Sequence, residues 1–389
     1  MHIAIFGGSF NPPHKGHGEA AKKAAIAIAA DKLLIIPTAK PPHKEEAALC
    51  PSPDVRLKLA ELAFADLTNA EVSDLEIRRG GISYSVDTLL ELRALYPNDE
   101  LFLFIGTDML LSIETWKDYE RVLELAQPVV FAREAGDDFK ISEISQRLKR
   151  EHDAKIIAVP LSPVETSSTE IRSLLPLRGG CEYLNDDVYA EIIKHRYYGA
   201  KPSLPWLREK AMTFLNEKRI PHVLGCEQEA VRLAKRWGAD EGLAAEAGIL
   251  HDITKRLDKE AQLLLCEKYG IMTDNDELGN GKLLHAKTGA ALARDLFGVG
   301  DEVYTAIFFH TTGKGNMSIL DKIIYMADYI EPNRDFDGVE ELRHLAYENL
   351  DKAVLAGLEM SVRELEKHGI TPHVNSSEAA SWLRRGLAL

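Results

Sequence analysis

The chain has 389 residues, enough for two or three domains, and its 45% hydrophobic and 28% charged residues are ordinary for a globular protein. Its formal net charge of −14 argues against binding to nucleic acid or anionic membranes, although small anionic substrates need only a local cluster of donors. The four cysteines form no CxxC pair, and neither a signal segment nor an apolar run of about 18 residues is present. We therefore expect a cytoplasmic protein with reduced thiols and no membrane span.

Short apolar runs alternate with amphipathic segments over residues 1–200. The runs "HIAIF", "KLLIIPT", "LFLFIG", "PVVFARE" and "KIIAVPL" are typical of buried parallel strands, because they are rich in Ile, Val, Leu and Phe. Between them, "DVRLKLAELAFADL" and "SVDTLLELRALYP" have helical periodicity. This alternation predicts a doubly wound α/β parallel sheet of the Rossmann-like kind.

The pattern changes at "YYGAKPSLPW", which carries the Gly and Pro signals of a linker. Beyond it, segments such as "EQEAVRLAKRWG", "KTGAALARDLFG" and "ILDKIIYMADYI" have helical periodicity, and several end in Gly. We find no convincing strand there. The sequence thus predicts two domains, residues 1–200 and an all-α domain over residues 201–389.

The loop after the first predicted strand combines glycines, prolines and two histidines in "GGSFNPPHKGH". A strand, a glycine-rich turn and a helix present backbone N–H groups to a phosphate, and Gly7 and Gly8 permit close approach. His14 and His17 are three residues apart at the helix entrance, so both rings can face one side and donate to developing negative charge. The alternative is a turn with two surface histidines.

Two further stretches suit a nucleotide site. Ser168 and Thr169 begin the predicted helix "STEIR" and Arg172 lies one turn on, which favours a triphosphate site. The alternative is that Thr169 is only an N-cap and Arg172 a solvated side chain. Asp108 follows "LFLFIG" at the carboxyl end of a strand, where α/β sheets bind ligands.

The loop motif resembles the signature of the HxGH nucleotidyltransferase superfamily, and in detail the bacterial nicotinate-nucleotide adenylyltransferases. "PPHK", "ISYSVDTLLEL", "FIGTDML" and "SSTEIRSLL" follow in the family's order. The resemblance implies that ATP and nicotinate mononucleotide give nicotinate adenine dinucleotide and pyrophosphate, with Mg²⁺. It implies catalysis by His14, His17 and Arg172. It also implies an ATP site of Gly7, Gly8, Ser9, Phe10, His14, His17, Gly106, Asp108, Ser168, Thr169 and Arg172.

By the same resemblance, a second group of residues surrounds the mononucleotide: Lys44, Ser83, Tyr84, Asp87, Thr88 and Trp116. Trp116 could equally be a core residue. A different phosphorylated acceptor, such as phosphopantetheine, remains an alternative, although "NPPH" and "ISYSVDTL" fit the nicotinate enzymes better.

Histidines and aspartates are spread in order through the second half. Each falls in or beside a predicted helix, and "AGILHDITK" places a His-Asp pair directly after an apolar run. Neutral imidazoles with carboxylates suit first-row transition metals, and a shared Asp can bridge two ions. Any one of these histidines could be structural, but the ordered set favours a metal site: His222, His251, Asp252, His285, His310 and Asp328.

With "LLHAKTGA" and "ADYIEPNRDF", this set resembles the HD phosphohydrolase superfamily, more narrowly the bacterial symmetrical diadenosine tetraphosphate hydrolases. The resemblance implies hydrolysis of diadenosine tetraphosphate to two ADP at a dinuclear site, with iron the expected metal. His222, His251, Asp252 and Asp328 would hold one ion, and His285 and His310 the other, with Asp252 bridging and acting in catalysis.

Lys255 and Arg334 are the predicted phosphate-binding residues of this half, although each could be a surface charge. The whole chain is therefore predicted to be a bifunctional enzyme acting on ATP, nicotinate mononucleotide and diadenosine tetraphosphate or other adenine nucleotides. The alternative for the second half is a metal-free module that senses nucleotides and regulates the first. The sequence leaves homo-oligomer formation open.

Overall fold

A computed structural model describes residues 1–42, 50–131, 137–160, 166–274 and 283–388 of the chain. The contacts divide it into two compact units, Met1–Lys201 and Pro202–Leu389. The sequence analysis places the division between residues 200 and 201. Within the described ranges, no helix combines the length and the apolar character needed to cross a membrane.

The described part of the first unit contains a six-stranded sheet in the order β3-β2-β1-β4-β5-β6, and every neighbouring pair of strands is parallel. The order reverses between β1 and β4, and ligands bind at such a switch point, outside the carboxyl ends of the strands. The strands are β1 His2–Gly8, β2 Lys32–Pro37, β3 Ala70–Val72, β4 Glu100–Gly106, β5 Gln127–Phe131 and β6 Ile157–Val159.

Alternate residues of the strands enter two separate apolar cores. Ile3 and Ile5 of β1 belong to one core, whereas Ala4 and Phe6 belong to the other. Side chains buried on both faces are expected of a parallel sheet covered by helices, so the predicted doubly wound fold is confirmed. The sequence analysis missed β3, because three residues at the sheet edge give no apolar run.

Helices cover both faces of this sheet. Helix α1, with α2, packs on the core that contains Phe6, and α4 packs on the core that contains Ile5. The helices of the first unit are α1 Lys15–Ala27, α2 Pro53–Phe64, α3 Leu75–Arg79, α4 Ser85–Leu95, α5 Thr107–Leu111, α6 Tyr119–Leu125, α7 Asp137–His152, α8 Ser168–Leu174 and α9 Asp186–His195.

All the regular secondary structure in the described residues of the second unit, 202–274 and 283–388, is helical, which confirms the all-α prediction. One apolar core joins its helices. They are α10 Leu204–Met212, α11 Ile220–Trp237, α12 Glu241–Leu250, α13 Lys259–Tyr269, α14 Leu284–Phe297, α15 Asp301–Phe308, α16 Ile319–Ile330, α17 Val339–Glu348, α18 Leu350–Lys367 and α19 Val374–Gly386.

Helices α11 and α12 cross at very short distance. A Cβ on Gly248 of α12 would lie 2.8 Å from Cα of Glu227 in α11, closer than real Cβ atoms approach. Glycine is therefore needed at this crossing. The crossing brings His222, near the start of α11, towards His251, which directly follows α12.

Candidate active sites

The loop between β1 and α1 places His14 and His17 ring against ring, with centroids 3.8 Å apart. The backbone N–H of His14 donates to Nδ1 of His17 at 3.2 Å. Because a backbone N–H can only donate, Nδ1 is the acceptor, so the neutral His17 ring carries its proton on Nε2. The Phe10 ring packs edge-on against His17 at 5.3 Å. His17 is thus oriented and offers one N–H donor.

The buried guanidinium of Arg56, in α2, fixes the two loops beside this histidine pair. It donates to the carbonyls of Ser9 at 2.8 Å, Thr38 at 2.6 Å and Ala39 at 3.0 Å, which follow β1 and β2. The sequence analysis missed Arg56. An arginine within the apolar face of "DVRLKLAEL" is the signal that could have indicated it.

Helix α8 contacts the same loop through two predicted site residues. The Ser168 hydroxyl donates to the carbonyl of Pro12 at 2.9 Å, and Arg172 donates to the carbonyl of Asn11 at 2.6 Å. Arg172 also donates to the Thr169 hydroxyl at 3.0 Å. Ser167 is the N-cap of the helix, so Thr169 does not have the capping role that the sequence left open.

The other residues of the predicted ATP site lie at the carboxyl ends of β1 and β4. Gly8 ends β1 and Gly106 ends the adjacent β4, with Gly7 before and Ser9 after Gly8. Asp108 is exposed in the first turn of α5. Phe10 is different, because its side chain is only 1% exposed and packs in the core. Any ligand contact by Phe10 would therefore use its backbone.

Two residues of the predicted mononucleotide group have hydroxyls with internal partners. Ser83 accepts from the backbone N–H of Ala39 at 3.0 Å, and Thr88 donates to Oε1 of Glu76 at 2.5 Å. Burial raises the pKa of Glu76, although hydrogen bonds from these two hydroxyls act in the opposite direction and lower it. Ser83 and Thr88 therefore join α4 to its neighbours.

Tyr84, Asp87 and Trp116 leave more of their surface accessible. The Lys117 ammonium lies 3.2 Å from the Asp87 carboxylate and 4.7 Å from the centre of the Tyr84 ring. Trp116 is half-buried and packs against the core on this face. Lys117 was missed by the sequence analysis, and Lys44 lies outside the described residues.

In the second unit, the other five predicted metal ligands surround Asp252; we call all six residues the His/Asp cluster. Oδ1 of Asp252 lies 3.2 Å from Nε2 of His285 and 3.7 Å from Nε2 of His310. Oδ2 lies 3.4 Å from Nε2 of His251 and 3.8 Å from Nε2 of His222. The carboxylate thus directs one oxygen towards each pair of imidazoles. Asp328 joins the second pair, with Oδ1 3.1 Å from Nε2 of His222.

Hydrogen bonds behind the rings set the tautomers of three histidines in this cluster. Nδ1 of His251 lies 2.8 Å from the carbonyl of Gly248, and Nδ1 of His310 lies 2.7 Å from that of Ile307. Since carbonyls only accept, each Nδ1 carries a proton, and the neutral form of each ring presents the lone pair of Nε2 to the cluster. Nδ1 of His222 likewise faces the Glu331 carboxylate at 3.1 Å.

The charges at the cluster suit cations. Burial alone would raise the pKa of Asp252, but positive charge on the adjacent His251 ring holds it well below its usual range. Burial lowers the pKa of His285 to about 4, so this ring is neutral near pH 7. Among the described residues, Oδ1 of Asp252 is buried without a hydrogen-bond partner. Lone pairs and carboxylates around an unsatisfied oxygen fit a pair of transition-metal ions.

Three cationic side chains border the cluster. Arg219 forms an ion pair with Asp252, and Arg334 donates to Oδ1 of Asp328 at 2.7 Å. Nζ of Lys255 lies 3.1 Å from Nε2 of His285. Lys255 and Arg334 are therefore at the site, as the sequence analysis required of phosphate-binding residues. Arg219 was missed.

Cys226 and Glu331 were also missed by the sequence analysis. Sγ of Cys226 lies 3.4 Å from Nε2 of His222, and its position four residues later on α11 is the signal that could have indicated it. Glu331 is buried behind His222, and a Cβ on Gly225 would collide with its carboxylate. A side chain at position 225 would therefore displace the Glu331 carboxylate from its contact with Nδ1 of His222.

Two family models match the chain, one in each unit. Residues 5–174 match the cytidylyltransferase-like family, and residues 219–333 match the HD domain. The first range contains both the histidine pair and α8. The second contains all six members of the His/Asp cluster.

Three curated relatives are similar over different lengths. A probable nicotinate-nucleotide adenylyltransferase/Ap4A hydrolase of Mycoplasma genitalium is 31% identical over 371 residues, which are 92% of this chain and 96% of the relative. A probable nicotinate-nucleotide adenylyltransferase of Desulfitobacterium hafniense is 40% identical, over 44% of this chain and 82% of its own. A symmetrical bis(5'-nucleosyl)-tetraphosphatase of Halalkalibacterium halodurans is 46% identical, over 39% of this chain and 82% of its own.

Proposed function

The chain belongs to the two-domain family that joins a cytidylyltransferase-like domain to an HD domain, and on that premise we propose that it catalyses two reactions. The first unit transfers the adenylyl group of ATP to nicotinate mononucleotide, giving nicotinate adenine dinucleotide and pyrophosphate. The second unit hydrolyses diadenosine tetraphosphate to two ADP. The similarity to the fused relative over 92% of this chain supports the pairing of the two activities.

In the first reaction, a phosphate oxygen of the mononucleotide attacks the α-phosphorus of ATP. One P–O bond forms, the bond to the bridging oxygen breaks, and pyrophosphate leaves. The acceptor supplies the nucleophile, so the protein has to position the two phosphates and stabilise charge. Nε2–H of His17 is the oriented donor for this charge, and Arg172 beside the same loop adds a cation.

Among the described residues, both groups of three or more potential metal ligands lie in the second unit. The described part of the first unit therefore offers Mg²⁺ no such group of protein ligands. Mg²⁺ commonly binds through substrate phosphates and retains waters. We therefore assign Mg²⁺ to the incoming ATP as part of the substrate.

In the second unit, the His/Asp cluster would hold two transition-metal ions, with iron as the expected metal. Bound ions would lower the pKa of a water molecule and draw charge from a phosphate. Asp252 keeps its two oxygens between the imidazole pairs, and Arg219 holds that carboxylate in place. Lys255 and Arg334 supply positive charge for the polyphosphate. Water adds to one central phosphorus, and the bond to the central bridging oxygen breaks.

One observation carries the hydrolase assignment: the rings of His222, His251 and His310 all direct Nε2 into a cluster centred on one buried carboxylate. A structural core histidine needs only its own hydrogen bonds. Three rings with lone pairs facing one carboxylate instead have the arrangement that cation binding requires.

The test is to assay the purified chain for both reactions. With ATP and Mg²⁺, we expect nicotinate adenine dinucleotide from nicotinate mononucleotide, and no comparable turnover with phosphopantetheine. With iron under reducing conditions, we expect diadenosine tetraphosphate to yield ADP alone. Faster transfer to phosphopantetheine would overturn the acceptor assignment. Tight nucleotide binding with neither bound metal nor ADP release would instead establish the second unit as a sensor.

A further inference from the structure

The thiol of Cys226 belongs to the group of atoms on one side of the His/Asp cluster. One ligand atom each from His222, Cys226, His251 and Asp328 lies within 4.8 Å of all the others. Cys226 is 1% exposed, and its Sγ faces Nε2 of His222 at 3.4 Å. The thiol also donates to the carbonyl of Ala327 at 3.7 Å.

These separations agree with two atoms that bind one cation. Transition-metal bonds to imidazole nitrogen are about 2.0–2.1 Å long and bonds to thiolate sulfur about 2.3 Å, so neighbouring ligand atoms lie about 3–4 Å apart. The Sγ–Nε2 distance falls in this range, as do the 3.3 Å between Nε2 of His222 and Nε2 of His251 and the 3.1 Å from His222 to Asp328.

The tautomers of His222 and His251 agree with a cation between these two rings. Nε2 of His222 and Nε2 of His251 face each other although both Nδ1 atoms are engaged behind the rings. Two imidazole lone pairs directed at each other repel unless a cation or proton lies between them.

We propose that Cys226 supplies a thiolate ligand to the cation held by His222, His251 and Asp328. This inference rests on the metal centre of the proposed function and adds a soft ligand to it. When the cation binds, the S–H bond breaks, the S–metal bond forms and the proton goes to solvent. A thiolate selects iron, cobalt or zinc over magnesium and manganese, and the two ions of the cluster then differ in their ligands.

Cobalt(II) substitution in the full chain tests the proposal without relying on activity. We expect the wild-type protein to show a near-ultraviolet sulfur-to-cobalt charge-transfer band, and the Cys226→Ser and Cys226→Ala variants to lack it. The affinity for cobalt of the site formed by His222, His251 and Asp328 should fall by about 10-fold or more in both variants. Cys266→Ser is the matched control, because Cys266 is also buried but belongs to neither group of potential ligands.

The outcomes are separable from those of the proposed function. Wild-type protein that binds cobalt and hydrolyses diadenosine tetraphosphate without a sulfur band overturns the thiolate assignment and leaves the hydrolase intact. A band that persists in Cys226→Ala, or disappears in Cys266→Ser, also overturns it. Failure of wild-type protein to take up cobalt, iron or zinc refutes the metal centre itself. X-ray absorption should show a sulfur neighbour at about 2.3 Å in wild type and in Cys266→Ser, but not in the Cys226 variants.

Discussion

The main chain orients the His17 ring. The N–H of His14 occupies Nδ1 of His17, which leaves Nε2–H as a donor of fixed direction. A preorganised donor is most effective where charge develops in the transition state, and it contributes less to binding of the ground state.

His17→Ala should therefore lower kcat for adenylyl transfer by about 10²-fold or more, while ATP affinity changes far less. Steady-state rates and equilibrium ATP binding measure the two effects separately. His195→Ala is the control, because His195 is exposed at the end of α9. Normal turnover in His17→Ala would remove His17 from the catalytic role.

Asp252→Ala should abolish hydrolysis of diadenosine tetraphosphate and most metal binding, because two neighbouring cations need an anion between them. His285→Ala should be milder and remove one ion, since His285 lies on only one side of Asp252. Elemental analysis and ADP release measure these effects, and adenylyl transfer should remain unchanged. Asp301→Ala, at an exposed carboxylate, is the control. Two metals per chain and full activity in Asp252→Ala would refute the site.

Glu76 provides a prediction for pH. Burial raises the pKa of Glu76 in the folded state above 4.5, its value in the unfolded chain. The contribution of the protonated Glu76 to stability is therefore fully present below about pH 4.5. It is lost as the pH rises through the pKa of Glu76 in the folded state. Glu76→Gln cannot ionise. Its free energy of unfolding, relative to wild type, should therefore be higher at pH 7.5 than at pH 4.5. Urea unfolding of residues 1–201, followed by Trp116 fluorescence, measures this difference.

The control for this experiment is Glu61→Gln, at an exposed position of α2. Its stability relative to wild type should change little between the two pH values. An equal effect of Glu76→Gln at pH 4.5 and pH 7.5 would show that ionisation of Glu76 does not influence folding.

At the residue scale, the sequence predicted those site residues that are recognised by their residue type and by their order along the chain. The histidine pair and the members of the His/Asp cluster could be predicted in this way. The contacts that orient them could not, because their partners are distant in sequence. Arg219 meets Asp252 across 33 residues, and Glu331 meets His222 across 109. No local pattern distinguishes such a side chain from an ordinary surface charge.

At the element scale, the apolar runs predicted five of the six strands described. The strand β3 was missed because its burial pattern has no fully buried residue. The helical periodicity of α2 also did not indicate that this helix holds the two loops beside the histidine pair. Its Arg56 crosses 47 residues of sequence to reach the loop after β1, and 18 residues to reach the loop after β2.

Arg56→Leu should lower kcat for adenylyl transfer by about 10²-fold, because a shift of about 1 Å in the loop misplaces His17. It should also destabilise the first unit by about 3 kcal/mol or more, since three carbonyls lose a charged donor. Arg56→Lys should be intermediate, because an ammonium cannot span the same carbonyls as a guanidinium. Kinetics and urea unfolding provide the measurements.

Lys58→Leu is the matched control for this helix, because Lys58 lies two residues later on α2 and its side chain is 55% exposed. It should retain wild-type kcat. Equal losses in Lys58→Leu and Arg56→Leu would show that α2 acts through general stability rather than through the loop contacts of Arg56.

At the scale of the whole molecule, the described residues of each proposed site lie within one unit. The histidine pair, Arg56 and α8 all lie in Met1–Lys201, and the His/Asp cluster with Cys226 lies in Pro202–Leu389. The backbone N–H of Lys201 donates to the carbonyl of Leu175 at 3.0 Å, which ties the last residue of the first unit to that unit. We therefore expect that neither proposed reaction needs a ligand from the other unit.

We accordingly predict that residues 1–201 and residues 202–389, expressed separately, each fold and retain their own activity. Each unit has its own apolar core, which is the requirement for independent folding. The kcat of each fragment should be within about 3-fold of that of the full chain. Misplacing a catalytic group lowers a rate by about 10²-fold, whereas the loss of contacts outside the site should change it little. Circular dichroism establishes folding, and the two assays are run on both fragments, with an equimolar mixture as the control. A folded fragment 1–201 that transfers adenylyl groups only when fragment 202–389 is added would show that the second unit completes the first site.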